Sequence, residues 1–321
     1  MENERTGLNQ DIYDRIARLK DNISSVVVGA GPVINHMITA LIAGGHVLLE
    51  DVPGVGKTTL ARSLAASLTA RFSRIQFTPD TLPGDVTGMS VYNMKTGEFE
   101  VRKGPVFANI VLADEINRTS PKTQSALLEV MQERQVTIDG ATYPVEEPFM
   151  VIATENPMDF SGTFPLPEAQ LDRFMMKLSV GYPDNDDTML LAKRYLNGQL
   201  EKELSPVLNE EDVMMLRQKA LQVKVADSII EYTSAIIAGT RINRELRFGA
   251  SPRAMLDMLA AIRARALTLG RDYCIPEDVV TMARVVIPHR LQITTEAAMN
   301  RYDAVSILES VVKGVSIPSS L

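Results

Sequence analysis

One stretch, HVLLEDVPGVGKTTLARSL at residues 46–64, constrains this chain more than any other. A short apolar run breaks into two glycines, a lysine and two threonines, and a helical pattern follows at once. Gly54 and Gly56 reach backbone angles closed to other residues and let a ligand approach the peptide plane. Successive N–H groups in such a loop form an anion-binding concavity. The helix behind it adds the partial positive charge of its N-terminus. Leu60, Leu64 and Leu68, beside Ala61 and Ala65, predict that helix and its packing on a sheet. Lys57 is then placed to reach the β- and γ-phosphates of a nucleotide and the Thr58 hydroxyl to ligate Mg²⁺, with Val55 and Thr59 in the same cradle. One position departs from the pattern GxxxxGK[ST]: it asks for glycine at 51, and Asp51 stands there. Pro53 instead stiffens the mouth of the loop.

A second motif, NIVLADEINR at 109–118, takes an apolar strand and ends it on Asp114 and Glu115. Adjacent acids at the edge of a buried strand repel unless a counter-charge is near, and a magnesium ion beside the phosphate loop supplies one. Asp114 is the candidate metal-holding acid, directly or through a ligand of the metal, and Glu115 the group that orients and polarises an attacking water. Ligands of open α/β sheets bind at the carboxyl ends of strands, where both motifs fall.

The first half alternates helical and strand-like segments, the pattern of βαβ units and a parallel sheet. Residues 32–43 read as a helix with Pro32 in its first turn, Val33, Ile34, Met37, Ile38 and Leu41 on one face, and Gly44-Gly45 as its stop. Strand-like runs stand at 46–49, 72–77, 109–113, 149–154 and 174–180. Two hairpins interrupt, at 89–107 around Lys95-Thr96-Gly97 and at 135–145 around Asp139-Gly140, the latter a type I′ signal. Beyond Tyr182-Pro183-Asp184 the strand signal fades and helices follow, so residues 1–182 are expected to form the nucleotide-binding domain and 183–321 a helical one.

Composition removes several classes. Net charge is −7, from 33 basic and 40 acidic residues, which works against a dedicated nucleic-acid binder, whose grip relies on clustered Lys and Arg. No apolar run approaches the roughly 20 residues of a membrane-crossing helix. The polar, acid-bearing MENERTGLNQ is unlike a secretory signal. A single cysteine, Cys274, excludes an internal disulfide framework and fits a reducing cytoplasm. His36, His46 and His289 show no metal-ligand spacing, so structural or surface roles are expected.

Taken in order, these motifs resemble those of the AAA+ ATPases and, within them, the MoxR family. The resemblance runs from about Val28 to about Leu291 and rests on VPGVGKT (52–58), LADEINR (112–118), ATENP (153–157), LPEAQLDRF (166–174) and GASPRA (249–254). It implies an α/β fold: an AAA+ P-loop NTPase core with a parallel five-stranded sheet, followed by a smaller all-helical lid. It implies ATP and Mg²⁺ as cofactors and Mg-dependent ATP hydrolysis as the activity. Asn156 then corresponds to sensor 1, an amide that donates to the γ-phosphate or the lytic water without titrating. Beside it the family often has Gln where this chain has Glu155.

Arg173 corresponds to the arginine finger given to a neighbouring subunit, an element that accelerates transfer about 10³–10⁵-fold. A salt bridge to Asp172 or Glu168 remains the plain reading of that residue. Arg253 corresponds to sensor 2, reaching from the lid to the phosphates, and Val28-Gly29 to the stretch bordering adenine. The hairpins match in position the helix-2 insert and the insert before sensor 1.

A finger acting in trans implies a homo-oligomeric ring, most simply a hexamer. The family resemblance further implies chaperone-like action on protein clients, with a von Willebrand A domain partner. A motor subunit of a metal-chelatase-like complex is the alternative. A GTP switch would need an Asn-Lys-x-Asp motif, which is absent.

Overall fold

The structure, a computed structural model, describes residues 2–52, 54–156, 163–198 and 203–318. Five strands form the central sheet: β1 (Val47–Glu50), β2 (Phe72–Gln76), β3 (Ile110–Asp114), β4 (Met150–Glu155) and β5 (Met176–Leu178). All pair in parallel, in the order β5-β1-β4-β3-β2. Every residue of β3 is buried, as a parallel sheet covered on both faces requires. Helices that precede β1, join β1 to β2 and join β3 to β4 supply that cover.

On one face lie α1 (Glu2–Ser24), α2 (Gly31–Ala43) and α3 (Lys57–Ala66); α4 (Pro121–Glu133) covers the other. The α2 periodicity is met in full: Val33, Ile34, Met37, Ile38 and Leu41 are buried, and Gly44 closes the helix in the left-handed region at φ 75°. The polar start of the chain disguises α1, which the sequence reading did not anticipate. Its Ile12, Ile16, Leu19 and Ile23 recur at helical spacing and are all buried.

Past β5 the chain forms α5 (Asn185–Leu196), α6 (Glu210–Leu221), α7 (Asp227–Ile242), α8 (Pro252–Thr268), α9 (Pro276–Val286) and α10 (Ala304–Gly314). Among the described residues this half is mainly helical, with two short strand pairings and a single bridge between Lys224 and Tyr273. Leu208–Asn209 runs parallel to Leu68–Thr69, and Leu246–Phe248 antiparallel to Gln292–Ile293. Its buried Met258, Ile262 and Val286 belong to the same apolar cluster as Leu19, Ile38 and Leu49. Each such side chain contributes about 1.5–3 kcal/mol, so the helical half is joined to the sheet through α1 and α2.

The opposite face has its own cluster, with Phe77, Leu127, Phe149 and Val151. Both hairpins form, as Gly88–Asn93 with Glu98–Lys103 and as Gln135–Ile138 with Ala141–Pro144. Asp139 and Gly140 have φ of 48° and 80°, the positive pair that a type I′ turn demands. Among the described residues no helix is long and apolar enough to cross a membrane.

Candidate active site

β1 ends at Glu50, and the loop behind it turns through Gly54 at φ 86° and Gly56 at φ 88° before α3 begins. Both angles lie where a Cβ is penalised, which is why glycine stands at each. Pro53 lies outside the described residues. The Lys57 amine donates to the carbonyls of Asp51 at 2.5 Å and Glu155 at 3.0 Å, bridging the ends of β1 and β4. Burial pulls its pKa below the usual lysine value, while the charges of Asp51, Asp114, Glu115 and Glu155 work in the opposite direction.

A cavity of about 350 Å³ opens beside this loop. Val28 and Gly29 wall it from the α1–α2 connection, Gly54, Val55, Gly56 and Thr59 from the loop, and Val180, Gly181 and Leu191 from beyond β5. Asp51, the residue that breaks the glycine pattern, joins two of these walls. Its carboxylate accepts from the Val52 amide at 2.9 Å, the Ser179 hydroxyl at 2.9 Å and the Gly181 amide at 2.7 Å. Burial raises its pKa, but these donors outweigh that and hold the carboxyl below its ordinary range.

The acids sit at the carboxyl end of β3, with β4 between it and β1. The β2–β3 register places Gln76 directly across from Asp114. Asp114 is 7% exposed, and a buried carboxylate needs donors. Its Oδ1 accepts from Thr154 Oγ1 at 2.6 Å. Its Oδ2 accepts from Arg74 through Nη2 at 2.6 Å and Nε at 3.1 Å, and Thr58 Oγ1 lies 3.5 Å away.

Glu115 follows in the left-handed region, φ 57° and ψ 50°, and its amide donates to Thr154 Oγ1 at 2.8 Å. Gln76 Nε2 donates to its Oε2 at 3.0 Å, and Arg118 stands 3.4 Å from the same oxygen. Asn156, buried at the end of β4, accepts on its carbonyl from Asn117 Nδ2 at 3.3 Å. Burial, ahead of any neighbouring charge, raises the pKa of Glu155 next to it.

Thr58 and Asp114 thus present a hydroxyl and a carboxylate to one point. Among the described residues no group of three or more His, Cys, Asp or Glu could hold a metal. That donor set suits Mg²⁺, which takes one or two protein oxygens and completes its shell with phosphate and water. The loop, the cavity and the acids therefore fit a magnesium nucleotide.

Two expected site residues lie elsewhere. Arg173 precedes β5, at the amino ends of the strands, where Met175 N donates to the His46 carbonyl. Its guanidinium has no hydrogen-bond or ion-pair partner among the described residues. Asp172 instead accepts from Ser251 Oγ at 3.0 Å and stands 3.5 Å from Arg290. Arg253, expected to reach from the lid to the phosphates, lies at that end of the sheet as well. Ser251 caps α8, so Arg253 sits in the first turn of that helix near Asp172, and its charge helps depress the pKa of buried His46. That end is one strand length from the loop, roughly 16 Å at about 3.3 Å per residue. The packing of α8 against the approach to β5, fixed by Arg290 bonding both Asp257 and the Phe174 carbonyl, puts it there.

Sequence reasoning missed Arg74, Gln76, Thr154 and the second-half wall residues. Arg74 and Gln76 share a strand face at i, i+2, but only the sheet register shows which acids they meet.

Known protein families match both halves of the chain. Residues 46–176 match the ATPase family associated with various cellular activities, and 238–311 match the AAA lid domain. The chain is 47% identical to YeaC of Bacillus subtilis over 96% of its own length and 97% of that protein's. It is 41% identical to the chaperone MoxR1 of Mycobacterium tuberculosis, covering 97% of this chain and 84% of that one. A crystal structure assigned as an ATPase from Cytophaga hutchinsonii superposes with a TM-score of 0.91 at 38% identity, covering 99% and 98% of the two chains. With an α/β core, a phosphate loop and a matching lid, the chain belongs to the MoxR family of AAA+ ATPases.

Proposed function

We propose that the chain hydrolyses Mg-ATP and uses the reaction for chaperone-like remodelling or activation of protein complexes. The observation that carries this reading is the meeting of Lys57, Thr58, Asp114, Glu115 and Asn156 at the carboxyl ends of β1, β3 and β4. Lys57 would exchange two carbonyls for phosphate oxygens, which are stronger, charge-assisted acceptors. Thr58 and Asp114 would hold the magnesium, which when bound neutralises charge developing on the transferred phosphoryl group. Glu115, braced by Gln76 and Arg118, would orient a water and draw on its proton. Asn156 would fix the γ-phosphate or that water. Val28 and Gly29 would border the adenine.

Arg173 and Arg253 stand together at the far end of the sheet, so both are proposed to complete a neighbouring subunit's pocket. This favours a homo-oligomeric ring, a hexamer in the simplest case. The relative named chaperone MoxR1 supports client proteins as the target, with a von Willebrand A domain partner and a cytoplasmic site of action as parts of the same reading. Phosphate release tests it: Glu115→Gln should retain ATP while turnover falls at least about 10²-fold. Undiminished turnover in that variant would remove Glu115 from the chemistry and overturn the assignment.

A further inference from the structure

The metal position already has a cation on it, and that cation belongs to the protein. Asp114 Oδ2, the oxygen facing Thr58, is held by two nitrogens of one guanidinium, Arg74 Nη2 at 2.6 Å and Nε at 3.1 Å. The other oxygen is committed to Thr154 at 2.6 Å. Ligation of a divalent ion between Thr58 and Asp114 draws on the lone pairs of Oδ2, which Arg74 occupies.

The two partners are unequally bound to their places. The Asp114 side chain is 10% exposed and that of Arg74 40%. A buried carboxylate left alone is costly, whereas arginine on a long stem reaches water at small cost. Arg74 also has a second perch, the Gln76 Oε1 atom 2.7 Å from its Nη2. When two cations contend for one oxygen, the arginine is the one free to move.

We propose that Arg74 is a positioning residue that serves as resident counter-cation of Asp114 and yields it to the incoming divalent ion, so that the two compete. The proposal rests on the reading of Asp114 as a metal-holding acid. Arg74 keeps the Asp114 carboxylate paired and aimed at Thr58 in the metal-free protein. The same grip weakens the site's hold on the metal, so nucleotide without a divalent ion leaves the acid paired with arginine.

The test measures binding rather than turnover. Mn²⁺, which accepts the same oxygen ligands, is titrated into wild type, Arg74→Met and Arg74→Lys in the presence of ADP, with free Mn²⁺ read by paramagnetic resonance. Metal-free ADP binding is measured in parallel. Arg74→Met should bind Mn²⁺ about three- to tenfold more tightly, the scale of a lost charged hydrogen bond, with ADP affinity unchanged. Arg74→Lys, which keeps the charge and loses the fork, should fall between. Thermal unfolding supplies a second readout: Arg74→Met should melt lower than wild type without metal and gain more from Mn²⁺-ADP. Equal or weaker Mn²⁺ affinity in Arg74→Met, with ADP still bound, overturns competition alone. Wild-type protein that binds neither ADP nor Mn²⁺ overturns it together with the nucleotide reading.

Discussion

The Asp51 carboxylate accepts the Gly181 amide at 2.7 Å, joining the mouth of the phosphate loop to the chain leaving β5. The bond connects two walls of one cavity that lie 130 residues apart in sequence. It also explains why a residue other than glycine stands at 51: the position works through its side chain.

Restoring the common pattern with Asp51→Gly should therefore harm the protein. Three donors, on Val52, Ser179 and Gly181, lose their acceptor, at a cost of about 2 kcal/mol for a charged, partly exposed acceptor. Urea unfolding should show that loss, and ATP affinity should fall as the two walls part. The pH sign follows from the depressed pKa of Asp51. Its stabilisation is full above the ordinary carboxylate pKa and disappears as pH falls through the lower folded value. The variant should lack that acid-side component, and an equal or higher midpoint at pH 7 would contradict the structural role.

Arg173 and Glu115 lie at opposite ends of the strands, which makes a mixing experiment decisive. Arg173→Ala alone should lose turnover by about 10³ or more, and Glu115→Gln should also be inactive. A mixture should regain activity, because a subunit with intact Glu115 then receives Arg173 from its neighbour. Phosphate release that stays at background in the mixture would place Arg173 outside catalysis in trans. Lys57→Ala, which removes the ammonium itself, should abolish binding, and no partner should rescue it.

His289 and His46 make the fold acid-sensitive. Burial, assisted by the Arg290 charge, pushes His289 down to about 3 from an ordinary 6.5. Burial, with Arg134 second, holds His46 well below its usual value. The native state refuses a proton that the unfolded chain accepts below about 6.5. Stability should be level above that pH and decline as it falls toward 3, by up to about 1.4 kcal/mol per pH unit for each histidine. Urea midpoints at pH 8, 6.5 and 5 check this. His289→Gln should flatten the fall between 6.5 and 5, and an unchanged slope would assign it to other groups.

What was legible in the sequence was local. The glycines of the loop, the paired acids closing β3, the heptad-like face of α2 and the Asp139-Gly140 turn each carry their signal within a few residues. The nucleotide cradle followed from those alone. What stayed hidden depends on register and on packing between distant segments. Nothing near Arg74 tells that its guanidinium reaches Asp114 across a strand pair, or that Thr154 serves both acids. Arg253 shows the same limit: its motif fixes the start of α8, but only the packing of α8 against the β5 approach decides which end of the sheet that start faces.

Gly29 offers the last test, since its backbone disfavours a side chain and its neighbour would have to give way to one. Its φ is +78°, and a Cβ built there would stand 2.7 Å from Asp187 Oδ2 in the first turn of α5. Gly29→Ala therefore meets two penalties, about 1–2 kcal/mol for the left-handed backbone and displacement of the Asp187 carboxylate. Leu191, one turn along α5 from Asp187, lines the cavity with Gly29, so pushing α5 outward should widen it. ATP affinity is expected to fall about tenfold, well beyond any loss in melting temperature. Adding Asp187→Ala should recover part of the affinity, because the contact disappears while the backbone penalty stays. If the double variant binds no better than Gly29→Ala alone, α5 does not set the width of the pocket and the loss belongs to the backbone.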